Sequence, residues 1–176
     1  MVPLETVFIG LVILFGIIGA LRGWAKELLV TFSVILARFI EYVALVYVPV
    51  LSTSLQSLQQ TDPSTWFYVR LMLFGLLVAF GYATTVISSR LSARARKEKL
   101  QDTLLGLFLG GINGFLVVGM AWGFLNQLGY GIWGISGPLS EGAQGLLTYL
   151  PTNWLEGPAL FVGVAVSFAF VLIVFV

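Results

Sequence analysis

Long apolar runs separated by short polar ones dominate the chain. A bilayer core takes about 20 apolar residues per helix. Four stretches meet that length: about Leu4–Leu21, Leu28–Val50, Trp66–Ser89 and Leu104–Leu125. A further stretch, about Pro158–Val176, is of the same kind. The pattern predicts an all-α polytopic transmembrane bundle of four to five helices. Spans one and two are expected to form one hairpin, and spans three and four another. Residues 1–125 then make a four-helix membrane region, 126–157 an outer aromatic segment, and 158–176 a fifth transmembrane helix.

The first span reads as a retained anchor. It has no basic segment before it, its apolar run is long, and Arg22 and Lys26 follow it where a signal peptide has a cleavage site. The fifth span meets Val176 with no polar tail, so either the chain ends in the inner headgroups or further residues follow.

Charge sets the expected orientation. Arg22 and Lys26 lie between spans one and two, and Arg90, Arg94, Arg96, Lys97 and Lys99 between spans three and four. The segments Leu51–Thr65 and Asn126–Gly157 hold no Lys or Arg, only Asp62, Glu141 and Glu156. Basic residues of short loops stay in the cytoplasm. The N-terminus is therefore expected outside, with both basic loops in the cytoplasm. The stretch Arg90–Thr103 reads as a helix continuing span three, with Arg90, Arg94 and Lys97 on one face. Such basic residues attract anionic lipid. Without interleaved aromatics, this short run argues against nucleic acid as a partner.

Composition narrows the chemistry. Apolar types are 59% of the chain and charged types 10%, against about 25% charged in a soluble domain; the mean hydropathy is +1.00. Cysteine and histidine are both absent. This excludes disulfides, thiolate metal sites, thiol nucleophiles, histidine-ligated haem and histidine general bases. No phosphate-binding glycine loop, metal box or carboxylate pair with a catalytic spacing is present. The expectation is a protein without enzymatic activity, catalytic residues or a metal.

Asn126–Gly157 is not simply hydrophilic. It carries Tyr130, Trp133, Tyr149 and Trp154 among leucines, and Trp and Tyr favour the headgroup zone. Leu139–Leu150 suits a short helix, resting on its own bundle or docking a partner.

Glycine spacing points to helix contacts. Gly106, Gly110 and Gly114 recur every four residues and share one face of span four, and Gly119 and Gly123 repeat the interval. In lipid, small residues let helix backbones approach until van der Waals contact holds them. Gly19 and Gly23 make a similar pair at the end of span one. The seams run within the chain or between copies.

Gly16, Gly19, Arg22, Gly23, Lys26 and Glu27 after a first span, with Asp102, Gly106, Gly110 and Gly114 opening a fourth, resemble the colicin V production protein (CvpA) family. The basic linker between spans three and four fits as well. The resemblance covers roughly residues 4–125. It implies a four-helix inner-membrane protein linked to colicin V production or export, a form of toxin biosynthesis, and to envelope homeostasis. A fifth span stands where many members have only a tail.

Span two carries Arg38 and Glu41. Arg38 lies ~15 Å from either end of the span, where a charge costs about 2.5–3.5 kcal/mol. Three residues apart, the two share a helix face and can pair. Arg70 of span three reaches down towards Glu41, giving an Arg–Glu–Arg cluster. This cluster, with Asn113 of span four as a further intramembrane polar group, is either a site facing a cavity or a structural lock. Asn113 reads as interhelical glue.

The favoured function is helix–helix contact by a CvpA-like protein, as a homo-oligomer or with a membrane-protein partner. Two rivals stand beside it. One is an accessory subunit of a respiratory or photosynthetic complex. The other is a small transporter or channel lined by Arg38, Glu41, Arg70 and Asn113. No cofactor is expected; bound membrane lipid is, and a pigment in the glycine grooves stays open.

Overall fold

The computed structural model describes residues 3–83, 99–131 and 139–175. The described residues fold into α1 (Leu4–Arg22), α2 (Trp24–Tyr47), α3 (Pro49–Thr61), α4 (Pro63–Ala83), α5 (Lys99–Leu128), α6 (Glu141–Leu147), α7 (Pro151–Trp154) and α8 (Gly157–Phe175). Helices α1, α2, α4 and α5 are each long and apolar enough to cross a bilayer. Helix α8 joins them as a fifth when taken with the bent segment α6–α7 before it, from which it turns by 63°. The architecture is an all-α membrane bundle of four to five spans.

Its centre is built from α2, α4 and α5. Val30, Val34 and Ala37 meet Phe67, Phe74 and Val78, and Met120 and Phe124 close the cluster from α5. Helix α8 packs mainly on α2, through ring pairs such as Phe32–Phe170 and Phe39–Phe161. It leaves Val162, Val166 and Phe168 exposed.

The hairpin expected of spans one and two is a minor contact. The main neighbour of α1 is α5, because the glycines of both helices remove the side chains that would hold them apart. A Cβ on Gly19 would sit 2.7 Å from the Gly110 Cα. One on Gly114 would sit 2.7 Å from the Phe15 Cβ. The seam therefore runs within the chain. Gly119 and Gly123 serve a second contact, where Pro151 and Thr152 of α7 lie on α5.

Three boundaries differ from expectation. Helix α2 begins at Trp24, not Leu28, so a single residue, Gly23, separates it from α1. The polar stretch after α2, read as a connection, is the helix α3. Pro49 supplies its first turn with a preset φ, and side-chain hydroxyls cap their own backbone along it. Lys99–Thr103, read as part of the stretch after span three, lie in α5, the helix of span four. The expected end of span three at Ser89, the face of Arg90, Arg94 and Lys97, Arg96 and the position of Trp133 lie outside the described residues.

Helices α6 and α7 rest on the bundle. Ala143 and Leu150 are buried with Phe8 and Trp122. The Ser140 hydroxyl donates to Glu5 Oε1 at 2.6 Å and accepts from the Ala143 N–H, capping α6. The Trp122 indole donates to the Tyr130 hydroxyl at 3.1 Å. The Trp154 indole donates to the Tyr149 carbonyl at 3.1 Å.

Candidate functional site: two ionic clusters between helices

One cluster forms where α1 meets α2. Gly23 has φ 86° and ψ 154°, a backbone state that favours glycine. It turns the chain within one residue and brings Asp102 of α5 against the start of α2. The Trp24 N–H donates to Asp102 Oδ1 at 3.1 Å. The carboxylate thus caps α2 from another helix, where the helix dipole also favours it. A Cβ at position 23 would lie 2.7 Å from the same oxygen, so Gly23 is required twice, by its φ and by its neighbour.

The tight turn draws Glu27 into the bundle, where it is 1% exposed. Arg22 Nη1 donates to Glu27 Oε1 at 2.7 Å. Asn113 Nδ2, itself fully buried, donates to Glu27 Oε2 and to the Glu27 carbonyl, both at 2.8 Å. The Thr31 hydroxyl donates to Asn113 Oδ1 at 2.7 Å. Arg22 also donates to the Tyr82 carbonyl at 3.2 Å, its guanidinium 4.3 Å from the centre of the Tyr82 ring. Both carboxylate oxygens and the whole Asn113 amide are engaged, across α1, α2, α4 and α5. Lys26 is half-buried beside them and makes no ion pair among the described residues.

The other cluster forms near the opposite ends of α2 and α5, at the start of α4. Arg38 and Glu41 are buried on α2. Arg38 Nη1 donates to Glu41 Oε2 at 2.8 Å. Arg70 of α4 donates its Nε to Glu41 Oε1, and its Nη1 to Gln127 Oε1 of α5 at 2.6 Å. The Arg70 guanidinium lies 4.0 Å from the centre of the Phe124 ring. Glu156 stands 3.8 Å from Arg38 Nη2, well exposed. Arg38 Nε is buried without a hydrogen-bond partner.

Two hollows flank Arg70. A pocket of about 210 Å³ is lined by Gln59, Trp66, Arg70 and Gln127 among others. A cavity of about 280 Å³ between α2, α3 and α4 is lined by Glu41 and Arg70 and otherwise by apolar groups such as Ala44, Leu51, Leu55 and Leu73. The polar groups of the smaller pocket are a guanidinium and two carboxamides, which suit an anion, while the larger cavity also meets the Glu41 carboxylate. Among the described residues no three of Asp, Glu, His or Cys gather as a metal site would require.

The sequence-predicted residues therefore sort into two places. Gly19 meets Gly106 and Gly110, Gly23 meets Asp102, and Arg22 meets Glu27. Arg38, Glu41 and Arg70 come together as expected from their depths. Asn113 does not join them; it belongs to the Glu27 cluster. Sequence reading missed Thr31, Tyr82, Gln127 and Glu156 as partners. Thr31 was within reach, four residues after Glu27 on one helix face. Gln127 offered a weaker signal, a polar residue closing span four at the level where span three opens.

Glycine-seamed helices, ion pairs tied between spans and an apolar periphery define a multi-pass membrane protein. Residues 4–135, well over half of the chain, match the family model described as colicin V production protein. The chain belongs to that family, and the match runs past residue 125 into the segment beyond α5. No curated protein and no solved structure matches the chain.

Proposed function

We propose that this chain is a non-enzymatic protein of the bacterial inner membrane that works through helix–helix contacts in colicin V production or export and in envelope homeostasis. Its N-terminus is outside and its basic loops are cytoplasmic. One observation carries the reading. Both buried carboxylates of the spans, Glu27 and Glu41, are tied by partners on other helices at both oxygens or by two arginines. Groups so engaged hold helices in register. A proton or ion relay needs groups that can release their partners.

The test is gentle-detergent extraction from native membranes, followed by native sizing and mass spectrometry of whatever co-migrates, for wild type and Glu41→Gln. The contact reading expects a homo-oligomer or a fixed partner set that Glu41→Gln disrupts. An intact assembly with lost transport through Glu41→Gln membranes would replace it with the transporter reading. Residence at fixed stoichiometry in a respiratory or photosynthetic complex would make the chain an accessory subunit. The exposed apolar face of α8 favours some covering by lipid or protein.

A further inference from the structure

Helix α3 contributes one face to both hollows beside Arg70. Leu51, Leu55 and Gln59 are spaced by four residues and so lie in line along it. The first two border the apolar cavity, and the third borders the polar pocket. On α4, Trp66 and Arg70 are also four apart, and both residues line both hollows. The two spaces therefore adjoin across Trp66 and Arg70, one polar and one apolar.

We propose that they form a single binding site for an anionic glycerophospholipid, with the phosphate against Arg70, Gln59 and Gln127 and one acyl chain between α2 and α4. Charge complementarity selects the headgroup. The buried triad holds two arginines and one carboxylate, leaving an excess positive charge. Glu41 borders the apolar cavity, but both arginines already hold its carboxylate. Glu156 stands 3.8 Å from Arg38 with its own side chain exposed, where solvent screens the pair. Volume and lining select the tail. About 280 Å³ holds roughly ten methylenes, each near the ~30 Å³ share of a liquid water. Leu73 and Leu51 are exposed at the cavity's edge, so it opens sideways to where lipid lies.

The site goes beyond the contact function proposed above and does not depend on it. Its test uses the full chain in nanodiscs of phosphatidylcholine. Phosphatidylglycerol or phosphatidylcholine with the same brominated acyl chain is added, and quenching of Trp66 is read as the difference between wild type and Trp66→Phe. A preference for phosphatidylglycerol of about fivefold is expected from the one basic residue that lines the polar pocket. Gln59→Glu adds a negative charge on α3, a helix with no buried residue, and is expected to remove the preference with the fold intact. Ala44→Phe fills the apolar cavity and is expected to abolish quenching by either lipid. Equal quenching by the two headgroups overturns the proposal. So does a preference that survives both variants. Displacement of phosphatidylglycerol by inorganic phosphate at equal concentration would show that the cavity holds no tail, and also overturns it. Native sizing of the same samples reports on the contact function separately.

Discussion

The two ionic clusters are built from similar parts and are closed to different degrees. Around Glu27, one arginine and one amide satisfy a single carboxylate, the Thr31 hydroxyl holds that amide, and glycine-to-glycine contact between α1 and α5 lies beside them. Around Glu41, one carboxylate serves two arginines, Arg38 keeps an unpartnered Nε, and hollows lie on both sides of Arg70. Saturation with close backbone packing makes a lock. An excess of donors beside open volume makes a place that something else can enter. The contrast holds only if the first cluster depends on its backbone contacts and the second on its charge balance, and substitutions can separate these.

The largest effect is expected at the seam. A Cβ on Gly19 would lie 2.7 Å from the Gly110 Cα and 3.0 Å from the Gly110 nitrogen. Backbone atoms have little room to give, so overpacking should cost more than about 3 kcal/mol for Gly19→Leu. We expect loss of the monodisperse peak in size exclusion and rapid proteolysis of the detergent-solubilised protein. A Gly19→Leu protein that extracts and melts like wild type would remove the seam as the basis of the first cluster.

Charge removal should then divide the clusters. Glu41→Gln leaves two arginines against one neutral amide, and stranding a buried charge costs about 3–5 kcal/mol. Glu27→Gln keeps an acceptor for Asn113. It frees only Arg22, whose side chain is 22% exposed and lies at a helix end where it can reach the headgroups. About 1–2 kcal/mol is expected there. Thermal melts of the two variants in one detergent should rank Glu41→Gln as much the worse. The reverse order would mean that the Glu27 cluster carries the electrostatic load. Asn113→Leu should follow, at about 0.6–1.7 kcal/mol for each interhelical hydrogen bond lost in lipid, with α1–α5 contact retained.

The physics of sequence explains which parts were readable. The spans follow from apolar length, and the α1–α5 seam from glycine intervals that mark a face whatever covers it. The meeting of Arg38, Glu41 and Arg70 followed from counting depth, because all three sit inside uninterrupted spans. Glu27 was hidden by the same counting. It fell between spans bounded at Leu21 and Leu28; only Gly23, held at positive φ beside Asp102, 79 positions along the chain, starts α2 early enough to bury it. Asn113 was legible as interhelical glue, but not its partner, because Glu27 was absent from the span map. Helix α3 was invisible because Ser, Thr and Gln occupy most of it, and its order depends on lying along α2 and α4.

The smallest expected effect tests whether the α3–α4 corner belongs to the open cluster. Asp62 precedes α4; its Oδ1 accepts from the Thr65 N–H at 3.1 Å and its Oδ2 from the Thr65 hydroxyl at 2.5 Å. These bonds favour the charged form and hold its carboxyl below the ordinary aspartate value, the Thr65 hydroxyl being the largest cause. A lowered folded-state pKa contributes stability that is complete above the unfolded value and is lost as pH falls through the folded one. Asp62→Ala should therefore lower the melting temperature slightly and evenly at neutral pH, and the difference from wild type should shrink under acid, below the ordinary aspartate range. The same variant loosens the start of α4, one turn before Trp66 and two before Arg70. A weakened phosphatidylglycerol preference at neutral pH, recovering none of its strength when Thr65 is also removed, would tie this corner to the site beside Arg70. An unchanged preference would confine the effect to the helix end.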